Sequence, residues 1–302
     1  MVEEKINFYL GNLKNPIYVP SRMINLTNMY IIDQYIMDNN ETDNNSTKDN
    51  NSTKDNYIEE MKEYYRLFKQ NNPNHHEKRL IFLPGDVSHS RQNLPILTKT
   101  RPIKDPGLNV LLPLNNVRHW KPVKDVPKYD IPWEFKKDKI VWRGAATGRD
   151  KRIPLVENNY NKFDIGFTGY LNNYRGSRLD LYLKPRITMQ EQLKYKFIIS
   201  VEGNDVASNL KWIMASNSLC IMPIPQTESW LMESKLIPWT HFVPVLDDFS
   251  DLEKIYNWCI RNKEKCKQIV KNANLYMSQF YKDQTDIIVG VLEGYAEKVF
   301  VI

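Results

Sequence analysis

Twice between Lys139 and Met222 the chain runs through the same order of events: an apolar stretch, a turn of small residues, a helical stretch. Lys139-Ile140-Val141-Trp142 leads into Arg143-Gly144-Ala145-Ala146-Thr147-Gly148-Arg149 and then to a helix start at Pro154-Leu155-Val156. Lys196-Phe197-Ile198-Ile199-Ser200-Val201 leads into Glu202-Gly203-Asn204-Asp205; Val206, Leu210, Ile213 and Met214 then share one helical face before a further strand, Leu219-Cys220-Ile221-Met222. Strand, helix and strand at this spacing predict a parallel βαβ unit, because parallel strands need a crossover connection. This order confines the region to an α/β layer architecture. Beyond Val245 the apolar residues recur at helical spacing (Leu252, Ile255, Tyr256, Cys259; Ile269, Ala273, Tyr276, Met277, Phe280; Ile287, Ile288, Val291, Leu292, Tyr295, Val299), so the carboxyl end is expected to be helical and packed on a core.

The first part of the chain has a different texture. Residues 38–56 carry the unit Asn-Asn-Ser-Thr-Lys-Asp twice in tandem and little that could be buried, so they read as a disordered surface insertion. The Asn-x-Ser/Thr sequons in it, such as Asn45-Ser46-Thr47, are explained by that composition. An amphipathic helix is expected from 57 to 68, with Ile58, Met61, Tyr65 and Phe68 inward. A buried strand follows at Leu80-Ile81-Phe82-Leu83 and delivers Pro84-Gly85-Asp86 to a turn. Eight of the 17 prolines lie between Pro84 and Pro132, which excludes long helices there and leaves short strands such as Asn109-Val110-Leu111-Leu112.

Composition narrows the function classes. With 42 Lys and Arg against 36 Asp and Glu over 302 residues, the net charge is +6, and no block of five basic residues suggests a nucleic-acid patch. Cys220, Cys259 and Cys266 have no C-x-x-C spacing, so neither a disulfide framework nor a zinc site is encoded, and a reducing compartment fits best. No apolar run approaches the roughly 18–20 residues of a membrane span, and Met1-Val2-Glu3-Glu4-Lys5 opens with charge where a signal peptide would be apolar. The expectation is a soluble, cytoplasmic protein without a transmembrane segment. The length allows two domains.

In open α/β sheets ligands bind outside the carboxyl ends of the strands. The two turns that leave the predicted strands carry Arg143, Gly144, Gly148, Arg149, Lys151 and Arg152, and Gly203, Asn204, Ser208, Asn209 and Lys211. Together they could cradle a diphosphate; a glycine-containing turn is also how any βα unit turns. Asp86 has two readings from the residues alone, a turn-capping aspartate or a carboxylate held at the end of a buried strand. Asp247-Asp248-Phe249-Ser250-Asp251 precedes an amphipathic helix, so capping by Ser250 or Asp251 accounts for it better than a metal. His75-His76 lacks the companions a metal site needs.

The order Ile199-Ser200-Val201-Glu202-Gly203-Asn204-Asp205-Val206-Ala207-Ser208-Asn209-Leu210-Lys211-Trp212 is more specific than a glycine count. With Val141-Trp142-Arg143-Gly144-Ala145, Glu228-Ser229-Trp230-Leu231-Met232-Glu233 and Ile237-Pro238-Trp239-Thr240-His241-Phe242-Val243-Pro244-Val245, it resembles glycosyltransferase family 90, which includes lipopolysaccharide-modifying and capsule xylosyltransferases and protein O-glucosyltransferases. The resemblance runs from about Leu80 to about Phe280. It implies an α/β fold of GT-B type: two Rossmann-like domains facing each other across a cleft that holds the site, with a C-terminal helix returning to the N-terminal domain. The domains would be 1–137 with 283–302 on the acceptor side, and 138–282 on the UDP-sugar side.

The family's chemistry is inversion at the anomeric carbon with a UDP-sugar donor and no metal or other cofactor. Departure of UDP without a metal needs cations or helix amino termini to stabilise the diphosphate charge. By the family's pattern Arg152, before Ile153-Pro154-Leu155, matches the diphosphate-binding arginine, with Arg149 an alternative, and Ala145 matches a donor-contacting position. The segment Asn204-Asp205-Val206-Ala207-Ser208-Asn209 matches the donor loop; Asn209 stands where the O-glucosyltransferases have arginine, which leaves the charge to Lys211 and the helix expected near Val206. Arg143, Gly144, Glu202 and Gly203 complete the donor set. Asp86 matches the catalytic aspartate, the base that takes the proton of the acceptor hydroxyl. Glu233 resembles the carboxylate that holds a nucleotide ribose, or is a helix-surface glutamate. His89, Lys99 and Arg101 line the acceptor side or are solvated loop residues, and Trp212, Trp230 and Trp239 stack on a ligand or fill the core.

The reading is therefore a metal-independent inverting glycosyltransferase that moves xylose, or else glucose, from a UDP-sugar to a glycan acceptor such as a protein-linked or lipopolysaccharide-like glycan. The alternative is a non-catalytic UDP-sugar or glycan binding module of the same fold. Composition suits a bacterial cytoplasm, or that of a host cell for a viral protein. Nucleic acid is not an expected partner.

Overall fold

A computed structural model describes residues 1–25, 30–32, 53–73, 79–86, 94–169 and 177–302. Most of the repeat tract, His75-His76 and His89 lie outside them. The chain divides into two compact units: Met1–Asn116 with Thr227–Met232 and Lys282–Ile302, and Val117–Gln226 with Glu233–Tyr281. The first boundary falls ahead of the expected 137, and 227–232, expected in the donor half, belong to the first unit. Each unit has parallel strands, so the molecule is of mixed α/β class. Among the described residues no helix is long and apolar enough to cross a membrane.

The second unit is built on a five-stranded sheet in the order β12-β10-β9-β7-β8. Its strands are β7 (Lys137–Gly144), β8 (Asp164–Phe167), β9 (Tyr195–Ile199), β10 (Leu219–Met222) and β12 (Val243–Pro244), and all neighbours are parallel. Ile140, Val141, Trp142, Phe197, Ile198, Ile199, Leu219 and Ile221 are buried, as continuous apolar strands covered on both faces must be. The expected βαβ unit is present: Phe197 pairs with Leu219 and Ile199 with Ile221, and a short helix Leu210–Met214 crosses between them. Helix α3 (Lys121–Tyr129) precedes β7, α4 (Arg149–Asn159) follows it, and α5 (Leu252–Arg261) and α6 (Lys263–Ser278) close the unit. Their Leu155, Leu252, Ile255, Cys259, Cys266 and Ile269 join the core of the sheet.

Two helix starts differ from expectation. Helix α4 begins at Arg149, five residues before the predicted Pro154. Gly148, in the left-handed conformation, opens the helix, and Pro154 then forfeits a bond within it. The second helix starts at Leu210, not near Val206; Val206 and Ala207 are buried in the loop ahead of it. Its apolar periodicity extends into the loop because those side chains face the same core.

The first unit holds a four-stranded sheet, β2-β3-β4-β6, with β2 (Tyr30–Ile31) antiparallel to β3 (Ile81–Phe82), and β3, β4 (Leu97–Thr98) and β6 (Val110–Leu111) parallel. Helix α2 spans Thr53–Asn71, so residues 53–56 of the supposed disordered tract are helical. Its buried face is Tyr57, Ile58, Met61, Tyr64 and Phe68; Tyr64 takes the place expected of Tyr65. The last helix, α7 (Gln284–Ala296), lies against α1 (Val2–Leu10) so closely that a Cβ on Gly290 would stand 2.4 Å from Ile6 Cδ1. β1 (Ile17–Val19) pairs with β13 (Val299–Val301), and β5 (Arg101–Pro102) with β11 (Thr227–Glu228).

Candidate functional site

Because the five strands of the second unit are parallel, the loops leaving β7 and β9 emerge on one edge of the sheet. Arg152, one turn into α4, joins them. Its Nη1 donates to Ala145 O at 3.1 Å and Thr147 Oγ1 at 2.6 Å, its Nη2 to Val201 O at 3.2 Å and its Nε to Glu202 O at 3.2 Å. The guanidinium lies 5.8 Å over the Trp142 ring. Beside it Lys151 pairs with the Glu202 carboxylate, whose other oxygen accepts from Gln226 N at 2.9 Å. The loops touch at their glycines: a Cβ on Gly148, whose φ is +63°, would fall 2.3 Å from Gly203 O. Ala145, Gly148, Lys151, Arg152, Glu202 and Gly203 are thus one cluster, with Gly144 at the end of β7 and Asn204 and Ser208 exposed on the second loop. Asp205, on that loop, is buried and accepts from Gly203 N through its backbone carbonyl at 3.0 Å. The backbone of Arg149 starts α4; its side chain lies outside what is described.

Three expected charge carriers are engaged elsewhere. Arg143 grips Asp164, with Nη2 at 2.6 Å from Oδ1 and Nη1 at 2.8 Å from the backbone carbonyl, and Nε donates to Pro185 O at 3.1 Å. Burial pushes the Asp164 carboxyl up, but hydrogen bonds from Arg143 and Tyr195 outweigh it and leave the carboxyl below its ordinary value, while burial and that same bond push Tyr195 up to about 12. Arg143 therefore ties β7 to β8 and is not in the loop cluster. Lys211 and Glu233, assigned to diphosphate and ribose, are 0% and 1% exposed at their side chains and pair with each other at 2.9 Å. This corrects both the expected diphosphate cation and the surface-glutamate alternative. Asn209, in the position of the family's arginine, donates from Nδ2 to Ile199 O at 2.9 Å and accepts from Ser200 Oγ at 3.1 Å, latching the loop to the strand it leaves. The short helix after it offers a single turn, too little for the expected helix-terminus charge.

In the first unit Asp86 ends the turn after β3, reached through Gly85 at φ +111°. Its side chain is 40% exposed, and Oδ1 accepts at 2.8 Å from Lys99 Nζ, a side chain only 3% exposed that stands 5.7 Å over the Tyr57 ring. A buried ammonium thus fixes an accessible carboxylate. Lys99 is thus not a solvated loop residue but the support of Asp86. Arg101 is likewise buried: Nε bonds Glu228 Oε1 at 2.8 Å, Nη1 donates to Tyr9 O at 3.1 Å and Asn109 O at 3.2 Å, and Nη2 to Phe8 O at 2.6 Å. It joins β5 to β11 and α1, which corrects both readings made of it. Glu228, its partner, stood in a recognised motif but carried no sign of pairing 127 residues away.

Of the tryptophans, Trp212 and Trp230 are core, and Trp239 is 46% exposed. The aspartates before α5 serve the turn: Asp251 Oδ1 accepts from Leu246 N and Asp248 Oδ1 from Ser250 N, each at 3.0 Å.

The family model "Glycosyl transferase family 90" matches residues 109–300, which include both loops of the second unit but not Asp86 or Lys99. The chain is 40% identical over 217 residues to O-glucosyltransferase LpsA of Dichelobacter nodosus, covering 72% of this chain and 65% of that protein. It is 31% identical over 175 residues to Uncharacterized protein 035R of Invertebrate iridescent virus 3, covering 51% and 16%. It is 30% identical over 147 residues to Protein O-glucosyltransferase 3 of Rattus norvegicus, covering 47% and 28%. The chain thus spans under two thirds of the first of these relatives and under a third of the other two.

Proposed function

The chain belongs to glycosyltransferase family 90, and from that premise we propose that it transfers a sugar from a UDP-sugar to a glycan hydroxyl, inverting the anomeric carbon without a metal. The observation that carries this reading is Arg152. A guanidinium that binds the loops after two neighbouring parallel strands, with Lys151 beside it, puts fixed positive charge where a diphosphate would collect it on departure. Backbone N–H groups of 145–148 and 204–205 would add to it. In the first unit Asp86 is the base: it takes the proton of the acceptor oxygen as that oxygen attacks C1 and the C1–O bond to UDP breaks. Lys99 holds the carboxylate in one place.

For the donor, the names of the relatives favour glucose over the xylose expected from the motif alone. The parallel strands of both units support reading them as the two halves of a GT-B fold. A second reading, a binding module without catalysis, draws on the ion pair that partners Asp86 with Lys99.

Calorimetric titration with UDP-glucose, UDP-xylose and UDP-N-acetylglucosamine, a chelator present throughout, tests the donor site. Micromolar binding of UDP-glucose is expected, and Arg152→Ala should weaken it about 10- to 100-fold, the loss of charge-assisted hydrogen bonds. Preference for UDP-xylose would restore the first expectation, and binding only on addition of Mn²⁺ would overturn the metal-free assignment. Asp86→Asn separates the two readings. It should leave donor affinity intact and lower kcat about 10²- to 10⁴-fold; unchanged turnover would remove Asp86 from the mechanism, and no turnover by the wild-type chain on any glycan would favour the binding module.

A further inference from the structure

At the other end of the same sheet lies a pocket of about 420 Å³, lined by Trp239, Trp258, Lys265, Gln268, Ile269 and Asn272. Trp239 sits in the loop 237–242 that enters β12, hence at the amino edge of strands whose carboxyl edge bears the Arg152 cluster. We propose that this pocket is a second carbohydrate site, binding a pyranose ring of a glycan chain. The proposal goes beyond the transferase reading and does not depend on it.

The lining has the two parts that sugar recognition needs. Trp239 and Trp258 meet edge to face, ring centroids 4.7 Å apart at 68°, and Trp239 keeps 46% of its surface exposed. Indole faces are electronegative and attract the weakly positive C–H face of a pyranose. Lys265, Gln268 and Asn272 stand at helical spacing on one side of α6, with buried Ile269 between them as floor. Gln268 Nε2 donates to Asn272 Oδ1 at 2.9 Å, so the amides form a rim of paired donors and acceptors, the complement of vicinal hydroxyls. None of the lining residues is acidic, and a purely apolar ligand would bury that rim unmatched. The volume falls in the range of about 300–1,000 Å³ usual for small-molecule sites. Trp239 also has a backbone φ of +63°, rare for a bulky residue, within a turn closed by its N–H donating to Phe242 O at 2.8 Å, which holds the ring in place at the mouth of the pocket.

The test uses the full chain labelled with ¹⁵N, in which the seven tryptophans give separate indole N–H resonances. Those of Trp239 and Trp258 are assigned with Trp239→Phe and Trp258→Phe. Cellobiose and xylobiose are titrated, with glycerol and UDP as controls. The expected result is that these two resonances move saturably with a disaccharide at a Kd on the order of 1 mM and stay still with UDP. Gln268→Ala with Asn272→Ala, both away from the core, should weaken the disaccharide about 10-fold while leaving UDP-sugar binding as it was. The proposal is overturned if neither resonance responds to either disaccharide, if glycerol moves them equally, or if the double variant binds as the wild type does. Absence of UDP-sugar binding, by contrast, would count against the transferase reading alone.

Discussion

Charged side chains of one type do opposite work in this protein, and the difference lies in what each meets. Arg152 spans two loops and stays partly accessible, whereas Arg101 is sealed among Glu228 and three backbone carbonyls. Lys99 and Lys211 are both buried against carboxylates, but the partner of Lys99 is exposed and that of Lys211 is not. An ion pair buried on both sides is costly to break, because the survivor is left charged in the interior. Lys211→Met is therefore expected to lower the unfolding free energy by about 3–5 kcal/mol, and Lys211→Met with Glu233→Leu to recover most of that loss. Urea midpoints at unchanged m value measure it. A neutral single variant would mean that other groups, and not Lys211, balance Glu233. The charged residues were legible in the sequence as types and positions; their partners, from 13 residues away for Asp86 to 127 for Arg101, were not.

At the scale of elements, the strands were the best-marked part of the sequence. An apolar run such as 140–142 or 197–199 has one stable destination, a strand covered on both faces, and the structure places both there. Helix starts were poorly marked because Val206 and Ala207 supply apolar residues at helical spacing while lying in a buried loop. The loops themselves depend on close approach. Gly148→Ala would set a Cβ against the backbone of Gly203 at a positive φ, with no flexible atom to yield, whereas a Cβ on Gly203 meets the ends of Arg152 and Thr147 at 2.8 Å. Gly148→Ala should thus cost about 1–3 kcal/mol of stability and more donor affinity than Gly203→Ala, comparing thermal melts and UDP-glucose titrations of the two. A milder effect at Gly148 would show that the loops can part.

For the molecule as a whole, the chain leaves and re-enters its first unit, at 227–232 and again at 282–302. That unit contains the clearest acid-range dependence. Glu60 on α2 accepts the backbone N–H groups of Asn115 and Asn116, yet burial raises its pKa from 4.5 to about 6 against those bonds. Between those values the folded state holds the proton more tightly than the unfolded one, so the contribution is greatest below 4.5 and fades as pH rises through 6. Relative to Glu60→Gln, the wild type should lose up to about 2 kcal/mol of stability from pH 4.5 to 7 in urea melts; parallel pH profiles would refute it. The sequence by itself determined the parallel α/β core, the helical carboxyl end and the family, because hydrophobic periodicity and short motifs are local and survive without knowledge of the rest of the chain. Only the tertiary structure decided which cations are accessible, that Asp86 rests on Lys99, and that Arg152 reaches a loop 50 residues further along the chain. Burial and pairing are properties of what surrounds a side chain, and those surroundings are assembled from segments that are far apart in the sequence.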